Sequence, residues 1–294
     1  MPELPEVETL RRGLAEHLVG RRVLWIDVRL PKLIALGSPD DLLGLVVSGV
    51  RRRAKHLAIV LGPLTVLAHL RLAGQIVLRA SDGVTLVGGG HPVPRFDAPL
   101  PHRSTHVMVG LDDGATMYVT DIRQFARLWV LPTDEADHRL ATLGLGPEPL
   151  EAGFTRMRLA ATLAGRRGPL KPLLLDQRLV AGLGNIYVDE ALWRAQLHPA
   201  RAAGTVGTHD VARLHRAIRS VLRHAITHGV AQVLDGRAAP GTDFPAVHGR
   251  EGQPCPHCRT TILKTRLGGR GTYTCPRCQP SIADRHPASP PGGV

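Results

Sequence analysis

The amino terminus shows helical periodicity. Its apolar positions recur every three to four residues: Val7, Leu10, Leu14 and Leu18. Gly20 follows as a stop signal. A proline in the first turn and acidic residues beside it favour a helix start, since they suit its backbone and its dipole. The pattern predicts an amphipathic helix beginning near Pro5, and it leaves Pro2 unexplained.

Short apolar runs rich in β-branched residues follow this helix and indicate strands. They cover residues 23–30, 57–62, 64–72, 75–80 and 127–132. Residues 106–120 alternate around Asp-Asp-Gly, which predicts a hairpin. Closely spaced strands favour an antiparallel sandwich or barrel over a doubly wound sheet. Residues 81–105, rich in glycine and proline, are predicted to form a long loop outside the sheets.

Beyond residue 132 the periodicity becomes helical, in runs at 134–144, 168–180, 186–197 and 211–226. The chain is therefore predicted to be an α+β protein with a β-rich first half. Three domains are predicted, at 1–132, 133–250 and 251–280. The remaining residues, 281–294, are rich in proline and glycine and are predicted to be a disordered tail.

Composition favours a polyanionic partner. The 294 residues contain 37 Lys and Arg against 25 Asp and Glu, a formal charge of +12. Nucleic acid is favoured over membrane, because no apolar run is long enough to span a bilayer. The acidic amino terminus lacks an apolar core, which argues against a secretory signal. Solubility alone is the other explanation of the charge.

The cysteines form one cluster with the spacing C-x2-C-x16-C-x2-C, made by Cys255, Cys258, Cys275 and Cys278. Two such turns supply the four thiolates that a tetrahedral zinc ion prefers, which predicts one structural zinc in a reducing compartment. His257 is then a loop residue, because four thiolates complete the site. The stiff hairpin would present Arg259, Arg266, Arg270 and Arg277. A zinc ribbon alone does not distinguish an enzyme from a DNA-binding protein.

Residues 171–195 predict two helices joined by the glycine turn AGLG. Asn185 is the predicted N-cap of the second helix, whose free N–H groups could hold a phosphate. Helix packing without function explains the same pattern equally well. A dinucleotide fingerprint is rejected, since Tyr187 occupies the third glycine position and no strand precedes it.

Six segments taken together resemble the formamidopyrimidine-DNA glycosylase family. They are 1–14, 51–57, 69–74, 121–125, 173–192 and 255–279, in the family's order. The resemblance implies an N-terminal antiparallel β-sandwich with a flanking helix, a helix–two-turn–helix and a zinc-ribbon hairpin. It also implies a bifunctional glycosylase/AP lyase that acts as a monomer on damaged double-stranded DNA, in the cytoplasm of a bacterium at its nucleoid. The PELPE start is similar to the oxidised-purine branch.

The resemblance also gives Pro2 a role. Removal of Met1 would leave a secondary amine, which attacks the sugar and forms an iminium that is charged without a proton. By resemblance Glu3 is the principal acid/base and Glu6 assists it, while Glu8 serves only the helix.

Other roles carry over by position. Lys55 resembles the proton donor for β-elimination, also placed to meet a phosphate, and Arg270 resembles the donor for δ-elimination. Asn185 would bind phosphate, helped by Lys171 and Arg167.

Three residues resemble those that enter the duplex when the damaged nucleotide is flipped out. Arg123 would face the orphaned base, Phe125 would wedge the stack, and Leu72 stands where the family usually has Met.

Two departures concern lesion choice. Ser104 occupies the place of a DNA-contacting histidine two positions before His106, with His102 as a candidate substitute. Residues 231–245 match the family's lesion-covering loop poorly. An endonuclease VIII-like enzyme for oxidised pyrimidines is the alternative activity, and a non-catalytic damaged-DNA scaffold is the alternative to an enzyme.

Overall fold

The computed structural model describes residues 2–228 and 244–281. These residues form two compact units, one containing 2–145 with 224–228 and the other containing 146–223 with 244–281. The first unit thus extends beyond the predicted boundary at residue 132. The predicted tail after Ser281, and all but the last two residues of 231–245, lie outside the described residues.

The first helix, α1, spans Leu4–Leu18 and buries its apolar face, as its periodicity predicts. Gly20 follows with φ +88°, a conformation that favours glycine. The helix packs closely on a strand of the first sheet: a Cβ at Gly89 would lie 2.8 Å from the Cβ of Leu10. This close approach requires glycine at position 89.

Two five-stranded sheets form the first unit. Their strands are β1 (Val23–Val28), β2 (Ile34–Leu36), β3 (Gly49–Arg53), β4 (His56–Leu61), β5 (Leu64–His69), β6 (Gly74–Arg79), β7 (Thr85–Gly90), β8 (Thr105–Leu111), β9 (Thr116–Asp121) and β10 (Arg127–Pro132). The sheet orders are β1-β8-β9-β6-β7 and β2-β10-β5-β4-β3. Pairing among these described strands is antiparallel except between β2 and β10. Apolar residues from both sheets and α1 share one core.

The prediction of a loop over 81–105 is wrong in part, because β7 lies inside it and pairs with β6. Glycines 88–90 weaken the sequence signal of this strand, yet one of them is needed where α1 packs. The sequence did not predict β2 or β3 either. The RRRAKHL segment divides between β3 and β4 at a tight turn, where Ala54 has φ +52°.

The helices beyond the sheets are α2 (Thr133–Thr142), α3 (Arg156–Leu163), α4 (Leu170–Leu175), α5 (Asn185–Arg194) and α6 (Thr208–Thr227). Helix α2 belongs to the first unit because Ala136 packs in a cluster with Trp129 and Leu131 of β10. A hairpin of β11 (Leu263–Leu267) and β12 (Arg270–Thr274) carries the cysteine module. Within the described ranges no helix has both the length and the apolarity to cross a bilayer.

Candidate functional site

The residues after Pro2 start α1 through a capping box. The Glu6 carboxylate accepts the backbone N–H of Glu3 at 2.8 Å, and the Glu3 carboxylate accepts the backbone N–H of Glu6. Pro2, Glu3 and Glu6 are all buried. Proline 2 therefore lies next to two fixed, buried carboxylates, which is the neighbourhood expected for an amine nucleophile that needs proton transfer.

Glu8 does more than the helix-starting role predicted for it. It is buried and accepts hydrogen bonds from Arg11 and Arg12 of its own helix and, at 3.0 Å, from Arg52 of β3. Burial by itself raises the pKa of Glu8, but the hydrogen bonds from the three arginines and the charge of Arg11 outweigh it and lower the pKa to about 2. Glu8 is therefore an ionised anchor between the helix and the sheet.

Arg52 extends this anchor to the turn that carries Lys55. Its Nη1 donates to the carbonyl of Ala54 at 2.9 Å, while its Nε donates to Glu8. Lys55, the next residue, is only 8 % exposed. The predicted β-elimination donor is thus held in a turn that is tied to the helix following Pro2.

The predicted duplex-entering residues lie on two neighbouring loops. Leu72, half-buried, lies between β5 and β6, and Arg123 and Phe125, both exposed, lie between β9 and β10. The loops are neighbours because β6 pairs with β9 and β5 pairs with β10. The Arg123 guanidinium lies 5.0 Å from the centre of the Phe125 ring, a cation–π contact that pairs these two side chains.

Asp121 holds the second loop, and sequence analysis gave it no role. Its side chain is buried and accepts the backbone N–H groups of Arg123, Phe125 and Ala126 at 2.8, 2.9 and 2.7 Å. A readable signal exists, because aspartate two residues before a turn position commonly accepts that N–H.

Sequence analysis also gave no role to two half-buried histidines. His56 and His69 face each other across β4 and β5, with ring centres 4.5 Å apart. Burial, together with the positive charge of Arg71, lowers the pKa of His56 to about 4. Burial, the neighbouring His56 and the charges of Arg71 and Lys55 lower the pKa of His69 to about 3. Both rings are neutral at pH 7.

The structure does not support the assignment of Lys171 to phosphate. Its side chain is fully buried, and its Nζ donates to Asp189 at 2.7 Å and to the carbonyl of Gly271 at 2.7 Å. Asn185 is the first residue of α5 rather than its N-cap, a position taken by Gly184. The Asn185 side chain donates one hydrogen to Gly271 at 3.1 Å, which leaves the second amide hydrogen for an anion.

Two further predicted contacts are exposed. Arg167 lies just before α4, and Arg270 begins β12 beyond the Gly268–Gly269 turn. His102 is half-buried and its Nδ1 accepts the N–H of Ser104 at 3.2 Å. His106 is buried and hydrogen-bonded to the carbonyl of Asp121.

The four cysteines converge. The sulfur atoms of Cys255, Cys258, Cys275 and Cys278 all lie within 4.8 Å of one another. Sulfurs bound tetrahedrally at about 2.3 Å from zinc are separated by distances of this order. His257 is exposed, in keeping with its predicted place as a loop residue.

Comparisons with known proteins identify the family. Formamidopyrimidine-DNA glycosylase from Pelotomaculum thermopropionicum is 42% identical over 289 residues, covering 95% of this chain and 99% of the relative. The chain belongs to the formamidopyrimidine-DNA glycosylase family. The namesake from Streptococcus thermophilus is 38% identical over 288 residues, with 95% and 99% of the two chains covered.

Models of the family's parts match in the expected order. The formamidopyrimidine-DNA glycosylase N-terminal domain matches residues 1–128 and its H2TH domain matches 145–235. The zinc finger found in FPG and IleRS matches 252–280. Together with the converging sulfurs, this confirms the predicted site, in which the four cysteines are positioned to bind one zinc ion.

Solved structures give the same result. A Lactococcus lactis FPG complex with FAPY-dG-containing DNA has a TM-score of 0.82 at 31% identity, and a MutM complex with carbocyclic 8-oxo-G-containing DNA has 0.80 at 32%. In both comparisons 95% of this chain and 100% of the other are covered. The α+β fold class predicted from sequence is therefore confirmed.

Proposed function

We propose that this member of the formamidopyrimidine-DNA glycosylase family excises oxidised purines and then cleaves the abasic strand, with the amine of Pro2 as nucleophile after removal of Met1. The observation that carries the proposal is the start of α1, where Pro2 adjoins the buried Glu3–Glu6 capping box. The relatives named for formamidopyrimidines, and the neighbours bound to FAPY-dG and 8-oxo-G DNA, support the substrate class.

The chemistry uses the secondary amine of Pro2 twice. Its nitrogen bonds to C1′ and gives up its hydrogen as the bond from C1′ to the base breaks, and the base leaves with the electron pair and takes up a proton. Protonation of O4′, assigned to Glu3 with Glu6 nearby, then opens the C1′–O4′ bond and leaves an iminium. This cation acidifies the C2′ hydrogen, so loss of that proton expels the 3′ phosphate.

Lys55 and Arg270 are assigned to the elimination steps. Lys55 serves the first, β, elimination from the turn that Arg52 ties to α1. A second, δ, elimination expels the 5′ phosphate, and Arg270 donates the proton to that leaving group. Since both steps proceed from one iminium, strand cleavage needs no further cofactor.

DNA is proposed to be held by exposed and half-buried side chains. Leu72, Arg123 and Phe125 fill the space that the flipped nucleotide vacates, at a cost of a few kcal/mol for the flip. Asn185 and Arg167 contact phosphates. We place the enzyme, as a monomer, on DNA in the bacterial cytoplasm.

Borohydride trapping tests the nucleophile. Purified protein on a duplex containing 8-oxoguanine opposite cytosine should yield a reduced adduct that maps to residue 2. A chain with an uncleavable amino-terminal extension should form none, because its Pro2 nitrogen is an amide. Pro2→Gly should retain only part of the trapping, since a primary amine still forms an imine, while Pro31→Gly, at an exposed proline, should match the parent. Undiminished trapping by the extended chain would refute the assignment.

Lesion choice is tested by single-turnover rates on matched duplexes. A formamidopyrimidine and 8-oxoguanine should both be excised faster than thymine glycol. The reverse order would establish the endonuclease VIII-like alternative. Cleavage of a plain abasic site without any base excision would identify a lyase that lacks the base pocket.

A further inference from the structure

A fully buried ion pair joins the helix pair to the zinc hairpin. Lys171 of α4 donates to one carboxylate oxygen of Asp189 on α5 and to the carbonyl of Gly271 on β12, each at 2.7 Å. Neither charged side chain is accessible to water. Breaking one contact would leave a buried charge that water cannot solvate. Because this is costly, the pair holds its contacts in one geometry.

His248 holds the second oxygen of Asp189. Its Nδ1 lies 2.8 Å from Asp189 Oδ2, and because a carboxylate only accepts, Nδ1 carries the hydrogen. The same oxygen accepts the backbone N–H of Tyr273 at 3.4 Å, and the His248 ring packs edge-on to the Tyr273 ring, with centres 4.8 Å apart. His248 thus sets the orientation of the carboxylate that both Lys171 and β12 contact.

The segment that carries His248 is itself anchored. Glu190, the residue after Asp189, is 2 % exposed and accepts the backbone N–H groups of Ala246, Val247 and His248 at 2.8, 2.9 and 2.9 Å. Two adjacent acids of α5 therefore hold the backbone and the imidazole of this segment at once.

The hairpin is held by hydrogen bonds at two alternate residues just after Arg270. The Gly271 carbonyl receives Lys171 and the Asn185 amide, and the Tyr273 N–H reaches Asp189. Because residues 271 and 273 lie on the same short strand as Arg270, holding them restricts the backbone from which Arg270 projects.

We propose that His248 is a positioning residue for δ-elimination. By orienting Asp189 it keeps Lys171 on Gly271 and so keeps Arg270 at the leaving phosphate. This inference rests on the proposed function, in which Arg270 is the δ-elimination donor. Base excision and iminium formation depend on Pro2 and Glu3 of the other unit, so loss of the His248 contact should leave them unchanged.

Two substitutions separate the hydrogen bond from ring packing. His248→Phe keeps a ring against Tyr273 but cannot donate to Asp189. His248→Asn lacks the ring, yet its side-chain amide can replace the Nδ1–H donor. His209→Ala removes a histidine whose side chain is 83% exposed and serves as the matched control.

The assay is a single turnover on a duplex with a preformed abasic site, in which β- and δ-elimination products are quantified and borohydride trapping is measured in parallel. His248→Phe should lower the δ-to-β product ratio at least fivefold with trapping within twofold of the parent. His248→Asn and His209→Ala should stay within twofold of the parent on both measures. Zinc content and circular dichroism are checked for every variant.

Arg270→Ala distinguishes a failure of the positioning role of His248 from a failure of the donor role of Arg270. If Arg270→Ala lowers the ratio but His248→Phe does not, the positioning role is wrong and the proposed function stands. If Arg270→Ala leaves the ratio unchanged, the donor assignment is wrong and the positioning role falls with it. Equal losses of trapping and ratio in His248→Phe would indicate a general structural role and would also overturn the proposal.

Discussion

The loop that carries Arg123 and Phe125 should depend on Asp121. In Asp121→Ala, three backbone N–H groups lose their acceptor. Arg123 and Phe125 are exposed and can turn to water, whereas Ala126 is fully buried and its N–H stays unsatisfied. An unsatisfied buried donor costs about 1–3 kcal/mol, and a hydrogen bond to a charged group contributes about 1.5–3 kcal/mol. Because these terms overlap, we expect a loss of about 3 kcal/mol in unfolding free energy.

Asp121→Asn should cost less, about 2 kcal/mol of unfolding free energy. The amide oxygen of asparagine can still accept the N–H groups of Phe125 and Ala126, which share Oδ2, whereas its NH2 group would face the N–H of Arg123 and cannot accept it. Urea unfolding gives the free energy of unfolding, amide exchange at Ala126 reports the local hydrogen bond, and titration with an abasic duplex gives the DNA affinity. The DNA affinity of Asp121→Ala is expected to weaken about tenfold, or about 1.4 kcal/mol. Asp137→Ala, which breaks an exposed pair with Arg51, should cost under about 1 kcal/mol. An Asp121→Ala protein with parental stability and unchanged Ala126 exchange would refute this reasoning.

The remaining predictions concern the anchor of α1 and the metal. The folded-state pKa of Glu8, about 2, lies below its ordinary value of 4.5, so its contribution is present above pH 4.5 and is lost as pH falls towards 2. That difference is worth about 3 kcal/mol. Glu8→Gln should therefore be less stable than the parent at pH 7 and should converge with it near pH 2 in urea titrations. A gap in unfolding free energy that stays constant with pH would contradict the assignment. Elemental analysis should find one zinc per chain in the parent and none in Cys275→Ala. Cys275→Ala should bind DNA weakly because Arg270 is misplaced, while the thermal unfolding of the β-rich unit should be unchanged. Metal-free protein with full DNA affinity would count against it.

Local patterns predicted local structure well. The spacing of Leu10 and Leu14 is a property of one helix, and the cysteine spacing is a property of one hairpin, so neither needs knowledge of the rest of the chain. The strand β7 was missed because its glycines weaken the strand signal, and the reason for one of them, Gly89, is a close contact with Leu10, which lies far away in sequence.

Roles that depend on distant partners were harder to predict. Lys171 was assigned to phosphate by its position in the family resemblance, and only the fold brings Asp189 and Gly271 to it. The importance of Glu8 depends on Arg52, which is 44 residues away. The proposed DNA-contacting roles come from resemblance to the family, while the residues that hold those positions became visible only in the structure.

The burial of Pro2 has a consequence for the order of events during synthesis. Removal of Met1 requires a processing enzyme to grip an extended chain end, whereas in the folded unit Pro2 is enclosed at the start of α1. The sheet that contains β3 is completed only when β10, ending at Pro132, pairs with β5 and β2. Such long-range pairing is slow compared with local structure. On the proposed mechanism the ribosome-bound chain has an interval in which its terminus is open to maturation, before Pro2 becomes enclosed.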